Sequence, residues 1–270
     1  MEQTIHGTFL ALDTSTAAMA AAIIRNGEVL TQIESLAERN HSVHVITHLK
    51  DMLKETCMQS DHLDAIVVGN GPGSYTGMRI AVTAAKTLAW TWEKPLIGIS
   101  SLEAIAYGAL HAGLDIAYGE ELPEQSGEHW LLPIMDARRG QVYSAGFGMG
   151  NVAGWHRWLN DGVRMMREWT DEITTAAEAY SKSGPLTIWL TGDLSLHEES
   201  AALLQERCGG AGVKVRLLPH VLQGSALAYL GAQRFASGAR ENVHGFTPNY
   251  TQLTEAEVKW NAREAEEAKS

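Results

Sequence analysis

Thiol chemistry is nearly missing from this sequence of 270 residues: Cys57 and Cys208 are its only cysteines, far apart and in no CxxC pair. That excludes a cysteine zinc site and a disulfide framework, and suits a reducing compartment. No run of about 18 apolar residues occurs, so no membrane-spanning helix is expected. The start, MEQTIHGTFLALD, has neither a basic segment nor a long apolar core, so no signal peptide is expected and a cytoplasmic location follows. Basic clusters are missing too. Twenty-one Lys and Arg stand against 32 Asp and Glu, a net charge of −11, which argues against unaided binding to a phosphate backbone.

Phosphate-loop templates are also absent, although one stretch invites them. Gly69 to Ala81, GNGPGSYTGMRIA, lies between an apolar run and a helical pattern. It has no Gly-Lys for GxxxxGK[ST]. GxGxxG fails in both registers, because Ser74 or Thr76 stands where the third glycine belongs. What remains is a tight strand-to-helix turn stiffened by Pro72, with Ser74 as a helix cap. No Gly-x-Ser-x-Gly elbow is present. His41, His44 and His48 fall on neighbouring turns of one helix, but HVITH lacks the glutamate of HExxH and no third ligand is evident, so no metal site is expected.

What is present is order. Short apolar runs at Thr8–Asp13 and Ala18–Arg25, the Asn26-Gly27 turn and Val29–Leu36 predict three meandering strands. A helix over His41–Glu55, a strand at Ala65–Gly69, a helix over Tyr75–Trp92, a strand at Leu96–Ile99 and a helix from Ser101 follow. The same order then returns. Strands are predicted at Trp130–Ala137, Gln141–Phe147 and Val152–Leu159, a helix at Thr170–Ser183, and a strand at Leu186–Thr191. A helix at Leu196–Arg207, a strand at Val213–Leu218 and a helix at Ser225–Ser237 complete it. The repeat resembles the α/β, duplicated two-lobe actin-like ATPase (ASKHA, RNase H-like) fold. It divides the chain into an N-terminal lobe (1–112), a linker (113–128), a C-terminal lobe (129–220), a terminal helix packing between lobes (221–240) and a tail (241–270).

Two features stay open on residues alone. The segment Tyr75–Trp92 is nearly apolar all round, with small residues, and suits either a large core or a partner helix. Asp13, Asp136 and Asp193 fall at the turns that would face a nucleotide between two lobes, yet aspartates also simply form turns.

LALDTST, GNGPGSYTGMRI, KPLIGISSLEAIA, PIMDARRGQVY, LTGD and TPNY occur in that order, and together they resemble the TsaB (YeaZ) family. The likeness is weak over about 148–175, and Tyr250-Thr251-Gln252 departs from the family's usual Tyr-Leu-Arg. The resemblance implies a non-catalytic subunit that binds and activates TsaD, with TsaE, in making N6-threonylcarbamoyladenosine in tRNA. TsaD carries metal-binding histidines in a His-x-Glu-Gly-His motif; Ser101 and Ile105 stand at those two places here. The implied partner surface is the two N-terminal-lobe helices: His41, Val45, His48, Met52, Tyr75, Gly77, Met78, Ala81, Val82, Ala84 and Ala85. The resemblance further implies homodimers in the absence of TsaD, contact with tRNA only through the complex, and no required cofactor. Weak ATP or ADP binding at Asp13, Asp136 and Asp193 is the accompanying expectation. The competing readings are an actin-like ATPase acting alone and a metallopeptidase-like protein.

Overall fold

The computed structural model describes residues 5–36, 41–120, 127–150 and 154–252, without the side chains of 35, 36 and 41–43. In the first half, strands β1 (Thr8–Asp13), β2 (Ala18–Arg25) and β3 (Glu28–Leu36) are followed by helix α1 (His41–Glu55) and a short 3-10 turn at Ser60–His62. Then come β4 (Ala65–Gly69), α2 (Tyr75–Thr91), β5 (Leu96–Ile99) and α3 (Ser101–Leu114). The second half has β6 (Glu128–Asp136), β7 (Gln141–Gly150), β8 (Gly154–Met165) and α4 (Met166–Ser181). It closes with β9 (Leu186–Gly192), α5 (Glu198–Gly210), β10 (Lys214–Pro219) and α6 (Gly224–Ala236).

Two five-stranded sheets result, ordered β3-β2-β1-β4-β5 and β8-β7-β6-β9-β10. In each, three strands meander antiparallel and two more run parallel to the first. Identical order and direction in both sheets make this the duplicated actin-like architecture.

Strand periodicity decides what each face touches. Along β1, Leu10 and Leu12 join the core under α1 and α2, while Phe9 and Ala11 face a shared core. On β9, Ile188 and Leu190 pack with α4 and α5, and Trp189 points to the shared core. Helices α3 and α6 fill that middle layer: α3 contacts β6, β7 and β9, and α6 contacts all five strands of the first sheet. Both are buried over most of their length because each has a sheet or helix on every side. The molecule is therefore five layers: two helices, a sheet, two helices, a sheet, two helices.

The boundaries differ from sequence expectation from the end of α3 onward. α3 runs through Gly113, placed in the linker from sequence, because that glycine lets the helix end approach Trp189; an added Cβ would overlap the indole. β6 begins at Glu128, and residues 121–126 of the expected linker lie outside the described residues. β8 runs on to Met165 instead of ending at Leu159, since bulges opposite Ser144–Phe147 absorb its irregular pattern. α4 accordingly starts at Met166, four residues earlier than its apolar spacing suggests.

Candidate functional site

The glycine loop after β4 is built to receive its own chain. Gly69, Gly71, Gly73 and Gly77 lack a Cβ because there is no room for one. An added Cβ would overlap the Asp13 carboxylate, the Met78 sulfur, the Ser15 carbonyl and the Thr14 carbonyl respectively. Gly71 and Gly73 also hold φ of +98° and +153°, which side chains rarely adopt. The β1–β2 turn enters that space and is bonded there. Ser74 N donates to Ser15 O at 2.7 Å, and the Thr14 hydroxyl donates to Gly77 O at 2.6 Å. Ser74 caps α2 by accepting from Gly77 N at 3.3 Å.

Asp13 lies beneath this loop, 0% exposed. Ser101 Oγ donates to its Oδ2 at 2.5 Å and Ser15 N to its Oδ1 at 2.6 Å. Ser101 Oγ in turn accepts from Gly71 N at 3.0 Å, and Ser101 N donates to Gly71 O at 2.9 Å. Burial pushes the Asp13 carboxyl above its ordinary value, and the hydrogen bonds from Ser101 and Ser15 oppose that. Both oxygens of Asp13 are thus already engaged inside the lobe.

Asp136 and Asp193 sit differently. They end β6 and follow β9, held side by side as Asp193 N donates to Ile134 O at 3.0 Å. Asp136 is part-exposed, accepts from Arg138 N at 3.2 Å, and lies 3.5 Å from Nε2 of buried His197. Asp193 accepts from the Ser195 hydroxyl at 2.6 Å and Ser195 N at 3.1 Å. The structure therefore brings two of the three aspartates to one open sheet end and turns the third into the core.

The expected partner surface divides in the same way. Val45, Met52, Gly77, Met78, Ala81, Val82 and Ala85 are buried against the first sheet, which corrects their assignment to an outward surface. Their spacing marks the inward stripe of each helix. His48 and Ala84 are half-buried, Tyr75 is exposed, and the side chain of His41 lies outside the described residues. The outward face of α2 instead carries Thr76, Arg79, Thr83, Thr87 and Trp90, the last 66% exposed. Ile46 of α1 is also exposed. His44 and His48 bring their rings within 6.2 Å, and among the described residues no three His, Cys, Asp or Glu side chains form a metal-binding group.

Sequence reasoning missed a polar network between the lobes. Glu103, in the first turn of α3, accepts from Arg234 Nη2 at 2.6 Å, and from Arg157 Nη2 and Trp155 Nε1, both at 3.3 Å. Arg157 reaches Asp161 at 2.5 Å. Only a lone glutamate in an apolar helix hinted at it.

Comparison with known proteins agrees with this geometry. A family model described as TsaD: tRNA N6-adenosine threonylcarbamoyltransferase matches residues 28–154. The tRNA threonylcarbamoyladenosine biosynthesis protein TsaB of Bacillus subtilis (strain 168) is 33% identical over 94% of this chain and 97% of its own length. The TsaB protein of Escherichia coli (strain K12) is 33% identical over 54% of this chain and 58% of its own. A Pseudomonas aeruginosa crystal structure, described as similar to peptidase YeaZ, superposes with a TM-score of 0.67 at 22% identity, covering 91% of this chain and 100% of that one, which shows the shared fold. With a relative matched along nearly its whole length and the two-lobe fold in common, the chain belongs to the TsaB (YeaZ) family.

Proposed function

We propose that this protein is the non-catalytic subunit that binds and activates a TsaD enzyme. With TsaE, it supports transfer of threonylcarbamoyl from threonylcarbamoyl-AMP to N6 of the adenosine beside the anticodon. The observation that carries this reading is the fate of Ser101 and Ile105. Ser101 is buried with its hydroxyl spent on Asp13 and Gly71, and Ile105 is buried in the shared core. Positions that hold metal in the sister enzyme serve packing here.

The outward face of α1 and α2 is the surface offered to TsaD. On α2, threonines and Trp90 give a mostly uncharged, partly apolar surface of the kind that interface centres favour, while α1 adds Ile46 beside a charged rim of Lys50, Asp51, Lys54 and Glu55. Without TsaD, two copies pair through the same face, as an isologous contact allows. The protein reaches tRNA only through the complex, requires no cofactor of its own, and binds ATP or ADP weakly.

A titration against TsaD tests the surface. Thr83→Arg points outward from the middle of α2, so it should leave the fold intact and weaken binding about 100-fold. Ala81→Arg is expected to unfold the lobe instead, because that Cβ is fully buried. Unchanged affinity in Thr83→Arg would move the interface elsewhere. Depletion of the protein, followed by mass spectrometry of tRNA nucleosides, tests the pathway; an unaltered level of the modification would refute it.

A further inference from the structure

The geometry points to the segment 241–252 as a latch that joins the two lobes across the open ends of their sheets. The segment first runs along β5, the outermost strand of the first sheet, and covers it. Glu241 N donates to Leu96 O at 2.8 Å, and Lys86 Nζ donates to the carbonyls of Phe246 at 2.8 Å and His244 at 3.1 Å. The Phe246 ring lies over Gly98, where a Cβ would meet it at 2.6 Å. Asn249 N then donates to Asn70 O at 2.8 Å, just beyond the end of β4.

From there the segment reaches the second lobe. Asn249 Nδ2 donates to Asp161 Oδ2 of β8 at 2.9 Å, and the Tyr143 hydroxyl of β7 donates to Gln252 Oε1 at 2.9 Å. Tyr143 pairs with Met135, one residue before the end of β6. Asn70 follows the end of β4, so Asn70 and Tyr143 lie beside the carboxyl ends of β4 and β6 respectively, the side on which α/β sheets form crevices. Asp161 is available because β8 bulges there: Asn160 and Asp161 together stand opposite Ala145.

The contacts close a circuit. Asp161 holds Arg157, Arg157 holds Glu103, Glu103 holds Arg234, and Arg234 Nη1 donates to Gly98 O at 2.9 Å, back in the first sheet. The latch therefore fixes the lobes at one angle from the open side while the Glu103 cluster fixes them from within. It also has an external handle. Tyr250 packs 5.5 Å from Tyr75, and its hydroxyl accepts from Arg79 Nε at 2.9 Å, both on exposed α2. An anionic or carbonyl group of a partner that takes Arg79 removes that anchor and loosens the latch.

Distance measurements between spin labels on the full chain test this. One label goes on exposed Cys57 in the first lobe and one on a Glu199→Cys substitution at α5; Cys208 is buried and stays unlabelled. Asn249→Ala with Gln252→Ala removes both second-lobe side-chain anchors and should broaden the distance distribution about twofold, as lobes without a firm interface move. Arg79→Ala, which leaves the segment's own sequence intact, should broaden it in the same direction. Amide exchange of 244–250 should rise about tenfold in both variants while α4 stays protected, which separates latch release from unfolding. An unchanged distribution in both folded variants would overturn the proposal, as would loss of α4 protection accompanying any broadening.

Discussion

Asp13 is a carboxylate placed where charge is costly. Burial raises its proton affinity above the ordinary value of 3.8, despite hydrogen bonds from Ser101 and Ser15. The folded protein then holds more protons than the unfolded chain as pH climbs past that value, so this group's contribution to stability falls with rising pH. Asp13→Asn cannot ionise and lacks that slope. In urea unfolding at a series of pH values between about 4 and 7, the variant's stability relative to the parent should increase steadily with pH. A constant difference would show that Asp13 keeps its ordinary titration. The residue was visible in the sequence as a turn aspartate; its burial was not, because Ser101 and the glycine loop that enclose it are 56 to 88 positions away.

At the level of elements, α2 shows two opposed demands on one helix. Its inward stripe of Gly77, Met78, Ala81, Val82 and Ala85 packs on β1 and β4, and its outward stripe carries threonines and Trp90. Read linearly, small and apolar residues on both stripes look alike, and for that reason composition could not say which belonged to the core. Gly77 makes the difference measurable. In an ordinary helix, Gly to Ala stabilises by about 1 kcal/mol. Here the added methyl overlaps the Thr14 carbonyl, which is backbone and cannot swing aside. Gly77→Ala should therefore destabilise, by about 1–3 kcal/mol in thermal or urea unfolding. Stabilisation would mean that the β1–β2 turn yields easily.

On the scale of the whole molecule, Glu103 ties α3 to β8 and α6 through Arg157 and Arg234. Its side chain is 8% exposed, against 27% for Arg157 and 40% for Arg234, so the arginines keep partial access to water. Glu103→Ala removes three donor contacts and should cost about 2 kcal/mol, read as a lower midpoint in denaturant. A cost near zero would mean that water replaces the carboxylate fully and that the shared apolar core alone holds the lobes. None of the described helices is long and apolar enough to cross a membrane.

The order of strands and helices, the two-fold repetition of that order and the family motifs were legible in the sequence. They rest on local facts: apolar runs of strand length, Asn26-Gly27 at a hairpin, and the 3.6-residue spacing of helices. Tertiary structure alone decided that α3 joins the terminal helix α6 in one middle layer, that the glycine loop encloses Asp13, and that 241–252 spans both lobes. Each of these depends on residues brought together from distant positions, and no local pattern encodes which distant surface a turn, a glycine or a glutamate will meet.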